Sequence, residues 1–139
     1  MLAAVSANDI AVSGLRAQRV RMNLIANNIA NAETTRTEHG GPFRRQMVLF
    51  RAHDLGPRLD PKDFGVEISR VAPDPSPFRQ VYDPGHPDAN EDGVVLFPNI
   101  NIATEMVNLL SAQRAYEANI DVIVANRRMT EKALEIIQA

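Results

Sequence analysis

The distribution of proline constrains this chain more than any other feature. All nine prolines lie between Pro42 and Pro98, and proline interrupts helices because it lacks an N–H donor and clashes with the preceding turn. The proline-free flanks, residues 1–31 and 101–139, carry apolar residues at helical spacing. We therefore expect two long amphipathic helices around an irregular, turn-rich insert. One short insert cannot bury both helices, so each helix needs a partner helix.

In the N-terminal flank, apolar side chains recur in steps of three and four residues, the spacing of one helix face. Gln18 is the polar break in this stripe, and Ser6 with Asp9 has the spacing of a capping box. Gly14 weakens the helix prediction, because glycine costs about 1 kcal/mol relative to alanine inside a helix. The apolar stripe comprises Ala4, Ala7, Ala11, Leu15, Met22, Ile25 and Ile29.

The C-terminal flank has a strict alternation of four-residue and three-residue steps, which is heptad spacing. Asn101 is the expected N-cap, and Glu105 in the first turn suits the helix dipole. At about 1.5 Å per residue the helix reaches about 55 Å, so it must extend beyond its own domain or lie along other chains. The heptad stripe comprises Ile102, Met106, Leu109, Gln113, Tyr116, Ile120, Ile123, Arg127, Thr130, Leu134 and Ile137.

The insert carries short apolar runs separated by proline and glycine turns. Residues 47–50, 80–82 and 94–97 read as strands, and alternating Val66 and Ile68 predict a half-buried one. The expected fold is mostly α with a small β-rich insert of three or four strands, and the two terminal helices pair as a coiled coil. We divide it into an N-terminal helix (1–33), the insert (34–98) and a C-terminal helix (99–139).

Composition excludes several classes of function. The net charge of -2 gives no reason to expect nucleic-acid binding. The absence of cysteine excludes disulfides, thiolate nucleophiles and zinc–cysteine sites. No serine has a nucleophile-elbow context and no phosphate-binding glycine loop occurs, so we expect no enzyme and no cofactor. We also expect no secretory signal peptide and no transmembrane helix.

A possible metal loop lies late in the insert. Asp88, Asn90, Asp92 and Gly93 match the first half of a calcium loop, but its twelfth position is Asn99 where a bidentate glutamate belongs. The favoured interpretation is an acidic turn whose side chains bond their own backbone. We expect this turn to lock the insert to the base of the C-terminal helix. Its structural residues are Asp83, Gly85, Asp92 and Gly93.

Two further groups of polar side chains are the arginine pairs and a row of asparagines. The arginine pairs 44–45 and 127–128 are predicted to be solvated or interface charges. A row of asparagines late in the N-terminal helix is either a polar surface or a hydrogen-bonding stripe that fixes helix register. The row comprises Asn23, Asn27, Asn28 and Asn31, and its candidate partners are Asn108, Asn119 and Asn126.

Several motifs resemble those of bacterial flagellar rod and hook axial proteins. The segment NLIANNIAN at residues 23–31, followed by Thr34 and Thr35, is similar to the N-terminal signature of that family. The stretch VYDPGHPDANEDG at residues 81–93 is long and unusual, and it is similar to proximal rod proteins within the family. Further similar segments are GGPFRRQ at 40–46, PNIN at 98–101, EMV at 105–107 and RAYEAN at 114–119.

The resemblance covers nearly the whole chain and implies a structural, non-enzymatic role. Such proteins leave the cell interior through the flagellar type III export apparatus and polymerise into the rod, which crosses the periplasm and transmits torque. The implied partners are copies of the chain, the export apparatus, and rod proteins of the FlgB, FlgF and FliE types. The alternatives are another rod or hook subunit, or a secreted calcium-binding module with helical arms.

A tube built from packed helices needs stripes that face both a helix's own partner and neighbouring subunits. The helical stripes, the asparagine row and the family resemblance together predict an assembly interface on both helices. The predicted interface residues are Leu15, Met22, Ile25, Asn27, Asn28, Ile29, Asn31, Met106, Leu109, Tyr116, Ile120 and Ile123.

Overall fold

The computed structural model describes residues 5–55 and 64–138, where two long helices enclose four short strands. This confirms the expected fold class, mostly α with a small β insert. Neither described helix combines the length and apolar character needed to cross a bilayer. The elements are α1 (Ala7–Ala30), β1 (Gln46–Asp54), β2 (Phe64–Pro73), β3 (Arg79–Tyr82), β4 (Val94–Phe97) and α2 (Ile102–Gln138).

Both helices begin at the caps that the sequence predicts. The backbone N–H of Asp9 donates to the Ser6 hydroxyl, and the Asp9 carboxylate accepts from the Ser6 N–H at 2.9 Å. Hydrogen bonds from the Ser6 side chain and backbone hold the pKa of Asp9 below its usual range. At α2, the Asn101 side chain accepts from the Thr104 N–H at 3.1 Å. Ala4 of the predicted α1 stripe lies outside the described residues.

The two helices pack against each other in antiparallel fashion. Asn28 near the end of α1 bonds Glu105 in the first turn of α2, whereas Asn8 near the start of α1 bonds Asn126 at 2.9 Å. Rising numbers on α1 therefore meet falling numbers on α2 along the whole of α1. Because the start of α1 lies opposite Asn126, residues 127–138 of α2 extend beyond the start of α1.

Small side chains let the helices approach closely. Ala11, Ala17 and Ala112 are buried, and Gly14 faces Asn119. A Cβ atom built on Gly14 would lie 2.8 Å from the Asn119 Oδ1 atom. The glycine that weakens the helix prediction therefore leaves room for the Asn119 side chain of α2 to pack against α1.

The four strands form two separate antiparallel hairpins. Each strand overlaps a strand predicted from the sequence. β1 pairs with β2, with one irregularity between Leu49 and Phe50, and β3 pairs with β4. The β1–β2 hairpin lies along α1, where the Val66 N–H donates to the Ser13 hydroxyl at 3.0 Å. The β1–β2 hairpin thus packs against the side of the helix pair, whereas the β3–β4 hairpin directly precedes α2 in the chain.

The apolar core of the described subunit is small. Four of its six buried apolar residues are alanines, each of which removes little apolar surface from water. Hydrogen bonds and partly exposed contacts therefore also contribute to holding the described subunit together. The buried apolar residues are Ala11, Ala17, Ile25, Ala32, Val95 and Ala112.

Candidate assembly interface

Only part of the predicted heptad stripe of α2 faces α1. Leu109, Tyr116 and Ile123 are half-buried, whereas Met106 is 51% exposed and Ile120 is 39% exposed. Apolar periodicity alone indicated only part of this face, because close antiparallel packing also uses alanine and amide side chains. The buried or half-buried positions along it are Glu105, Asn108, Leu109, Ala112, Ala115, Tyr116, Asn119, Ile123 and Asn126.

The predicted interface residues of α1 divide in the same way. Ile25 and Asn28 are buried inside the subunit, and Asn27 is exposed. Asn31 bonds the Asn27 carbonyl at 2.9 Å and ends the helix. The remaining predicted residues of α1, which are half-buried, are Leu15, Met22 and Ile29.

The two hypotheses for the asparagine row apply to different members. Asn28 makes a buried hydrogen bond between the helices, as the register hypothesis expects. Asn23 and Asn27 are exposed, as the polar-surface hypothesis expects. Of the proposed partners on α2, Asn126 bonds Asn8, which lies outside the row. Hydrogen bonds of asparagine amides therefore connect α1 to α2 near both ends of α1.

Exposed apolar residues run along both sides of the α1-facing surface of α2. We call Ile102, Met106, Ile120 and Val124 the first flank, because helical spacing places them on one side. The second flank, on the other side, consists of Val107, Val122, Met129 and Ile136. A ridge that begins at the exposed Leu110 and is otherwise charged separates the two flanks on the outer surface. Its charged residues are Arg114, Glu117, Asp121, Arg128 and Lys132.

A buried polar junction joins the helices to the insert. Glu105 and Asn28 are each 1% exposed. One Glu105 oxygen accepts from Arg45, with an Nη2–Oε1 distance of 2.8 Å, and the other accepts from the Asn28 amide at 3.0 Å. The Asn28 amide also accepts from the backbone N–H of Gln46 and donates to its carbonyl. The start of β1 is thereby fastened to both helices.

Arg45 contacts a second carboxylate in this junction. Its Nη1 atom lies 3.1 Å from Asp74, just after β2. Burial lowers the pKa of Arg45, but Glu105 and Asp74 outweigh it and raise that pKa. The Ser76 side chain and N–H, followed by Arg45, hold the pKa of Asp74 below its usual range. Arg45 and Asp74 are therefore both charged near neutral pH.

The sequence did not reveal this junction. Arg45 was predicted to be a solvated or interface charge, yet its side chain is 22% exposed and pairs inside the subunit. Its partners lie 29 and 60 positions away in the chain, so no local spacing relates them. Arg44 stacks on Phe78 instead, with its guanidinium carbon 4.0 Å from the ring centre.

The acidic turn is an ordered loop between β3 and β4. The Asp83 N–H donates to the Gly93 carbonyl at 2.9 Å, and the Asp83 carboxylate accepts from the Gly85 N–H. Within the loop, the Asp88 carboxylate accepts from the Thr35 hydroxyl at 2.8 Å and lies 3.7 Å from Arg36. These bonds run to the segment after α1. We expected the loop to attach to the start of α2. There, Arg45 instead donates to Glu105 in the first turn.

The candidate calcium ligands bond to protein groups. The Asn90 side-chain oxygen accepts from the N–H groups of Asp92 and Val94. The Asp88 carboxylate accepts from the Thr35 hydroxyl and lies near Arg36. Among the described residues, no group of three histidine, aspartate or glutamate side chains is placed to hold a metal ion. The geometry matches the acidic turn that the residue pattern predicts.

We expect Gly93→Ala to destabilise the subunit by about 1–2 kcal/mol, because an L side chain is strained at its φ of 73°. The new Cβ atom would also lie 3.0 Å from the Tyr82 ring. Gly85→Ala is the matched control, since its Cβ atom would meet only Asp83 at 3.6 Å. Urea unfolding followed by circular dichroism measures both variants. Equal losses in the two variants would contradict the assignment of Gly93 as the structural residue of the turn.

Comparison with known proteins identifies the family. A model of flagella basal body rod proteins matches residues 9–36, and one of the C-terminal part of flagellar basal body rod FlgEFG proteins matches 91–136. The chain is 42% identical to a flagellar basal-body rod protein FlgC from Borreliella burgdorferi, across 96% of this chain and 97% of the relative. The chain belongs to the FlgC family. It is therefore a structural component of the flagellar basal-body rod.

Other FlgC relatives support the same assignment over similar lengths. The FlgC protein of Bacillus subtilis is 39% identical over 92% of this chain and 94% of its own. That of Salmonella typhimurium is 39% identical over 94% and 95%. The family models cover most of α1, β4 and most of α2, and they leave out β1, β2 and β3. These matches confirm the resemblance to axial proteins and favour FlgC over other rod or hook subunits.

Proposed function

We propose that the chain is exported unfolded by the flagellar type III system and then polymerises into the torque-transmitting proximal rod, without enzymatic activity. Its partners are copies of itself and rod proteins of the FlgB, FlgF and FliE types. The observation that carries this proposal is the pair of exposed apolar flanks on α2. Met106 of the first flank is 51% exposed and Ile136 of the second is 77% exposed.

Two flanks suit a subunit that has neighbours on both sides. The flanks lie on opposite sides of the α1-facing surface, so a different helix can pack against each. Contacts between unlike surfaces repeat indefinitely when the rotation between subunits does not close, and the product is a helical filament. Burying one isoleucine or methionine side chain contributes about 1.5–3 kcal/mol. A rod repeats this gain at every subunit.

The small core suits export through a narrow channel. With mostly alanine in the core, the isolated subunit gains little from apolar burial, and neighbours in the rod supply the remainder. To test this, a stably folded domain is fused to the C-terminus of the chain. We expect the fusion to remain inside the cell, while a fusion to a destabilised variant of the same domain is exported. Equal export of both fusions would contradict unfolded passage.

A deletion strain tests the structural role. Cells lacking this chain are expected to be non-motile, with basal bodies that lack a complete rod in electron micrographs. Expression of the full chain in the same cells is expected to restore both the rod and swimming. Normal swimming of the deletion strain would overturn the proposed function.

A further inference from the structure

The side of α1 that faces away from α2 carries unpaired positive charge. Every charged side chain between Asp9 and Glu33 is an arginine, and two of them, Arg16 and Arg19, are exposed. These two are three positions apart, so they lie on one side of the helix. Within the described part of the chain, neither forms a hydrogen bond or an ion pair. A carboxylate that neutralises them must come from outside the described subunit.

The two arginines belong to a stripe with heptad spacing along the outer side of α1. Alternating steps of four and three residues connect them to asparagine and alanine side chains further along the helix. Alanine and asparagine also form the contact between α1 and α2, where small side chains let the two helices approach closely. The stripe is therefore suited to receive a second helix. We call it the α1 seam; apart from the half-buried Val12 its residues are exposed, and it comprises Val12, Arg16, Arg19, Asn23, Ala26 and Ala30.

α2 has an exposed stripe with the same spacing and with carboxylates. Glu117 lies on this stripe and Asp121 lies beside it, four positions further on, so the two carboxylates are neighbours. Within the described residues, neither carboxylate forms a hydrogen bond or an ion pair. Arg114 lies off the stripe, because it is seven positions from Val107 of the second flank. We call the stripe the α2 seam, and it comprises Met106, Leu110, Gln113, Glu117, Ile120 and Val124.

The opposite charges lie at the same height in the subunit. Gly14 of α1 lies opposite Asn119 of α2, and the helices are antiparallel. Two residues further along α1 and two residues back along α2, Arg16 is therefore level with Glu117. Both side chains are on the outer sides of their own helices, so they do not meet within the subunit. A second copy that lies beside the first at the same height would bring them together.

We propose that the α1 seam of one subunit packs along the α2 seam of a second copy, where Arg16 and Arg19 pair with the carboxylates of Glu117 and Asp121. The inference rests on the proposed function, and it names the surface that covers the first flank of α2. The two seams are unlike surfaces, so each copy offers one seam to each of its two neighbours. Such a contact repeats from subunit to subunit along a rod.

The sizes of the side chains along the two seams are also complementary. At the same height, the large Met106 side chain is level with the small Ala26, and Leu110 is level with Asn23. At the other end of the contact, Val12 lies near Ile120. Large apolar side chains thus meet small ones, and the ion pairs lie between the two apolar regions. Complementary charges of this kind fix the register of a contact and disfavour wrong partners.

Charge reversal tests the contact in cells that lack the native chain. Arg16→Glu with Arg19→Glu places carboxylates against carboxylates, and Glu117→Arg with Asp121→Arg places arginines against arginines. Because like charges across an interface oppose association, each double variant is expected to lower recovery of the chain in purified basal bodies by about tenfold or more. Every copy in the rod carries both seams, so the chain with all four substitutions is expected to regain assembly and swimming. Regained assembly would also exclude misfolding as the cause of the loss.

A second pair of arginines provides the matched control. Arg70→Glu with Arg128→Glu makes the same change in net charge at exposed positions outside both seams. We expect this variant to assemble, and we expect it not to restore assembly when it is combined with Glu117→Arg and Asp121→Arg. Restoration by this control pair would show that only net charge matters, and it would overturn the proposal.

Two other outcomes would overturn the contact between copies. One is normal assembly of either seam variant. The other is loss in both seam variants without recovery in the fourfold variant, which would place these charges against a different rod protein. The unsubstituted chain distinguishes the two levels of the account. If it is recovered in basal bodies while the fourfold variant is not, only the contact between copies is wrong; if it is itself absent, the proposed function is wrong as well.

Discussion

Glu105→Ala is expected to lower the free energy of unfolding by about 3 kcal/mol, because removing one member of a buried ion pair leaves its partner uncompensated. The Glu105 side chain is 1% exposed and receives hydrogen bonds from Arg45 and Asn28. Arg45 keeps Asp74 after the change, which places the loss at the lower end of the range for such pairs. For a subunit with so small a core, this is a large fraction of the total stability.

Glu131→Ala is the matched control for Glu105→Ala. It removes the same side chain from the same helix, where Glu131 forms an exposed pair with Arg127. Exposed pairs at this spacing contribute about 0.5 kcal/mol or less, since water screens them. Urea unfolding of both variants gives the comparison. A loss below about 1 kcal/mol in Glu105→Ala would contradict the interpretation of the junction as a buried, mutually dependent network.

Ile120→Glu and Val122→Glu are each expected to abolish swimming while leaving the folded subunit nearly unchanged. Ile120 belongs to the first flank and Val122 to the second, and they are 39% and 46% exposed. In the isolated subunit the new carboxylate can remain in water. In the rod it would be buried without a partner, which costs several kcal/mol at each contact. Motility in soft agar and recovery of the chain in purified basal bodies measure the effect.

Arg128→Glu is the control that shows whether a new carboxylate anywhere on α2 prevents swimming. It introduces the same side chain on the charged ridge of α2, with a larger change in charge, at a position that is already exposed and polar. We expect this variant to swim. If Ile120→Glu and Val122→Glu cells also swim at the parental rate, the flanks are not packed against neighbours and the assembly interface lies elsewhere.

Features set by neighbours in the chain could be predicted from the sequence. The capping box of Ser6 and Asp9 needs only three residues of separation, and it occurs where expected. The run at residues 94–97 forms a strand because its β-branched and aromatic side chains favour one, and turn residues bound it on both sides. These features depend on local propensity and spacing, which the sequence shows directly.

Features set by distant pairs could not be predicted in this way. Arg45 and Glu105 are 60 positions apart, and nothing in the spacing of either residue indicates the other. The face of α2 that meets α1 could be predicted only in part, because Leu109 and Tyr116 of the heptad stripe lie on it but the buried Ala112 is not a residue that the stripe selects. Conversely, the apolar residues that it does select, such as Met106 and Ile120, remain exposed. Their exposure supports the proposed contacts outside the subunit.

Quantitative mass spectrometry of purified basal bodies tests the central claim most directly. We expect this chain to be present at a fixed ratio to the other rod proteins and to stay with the rod when soluble material is washed away. Absence from intact basal bodies, with the chain recovered as a free protein elsewhere in the same cells, would contradict its role as a structural subunit of the rod.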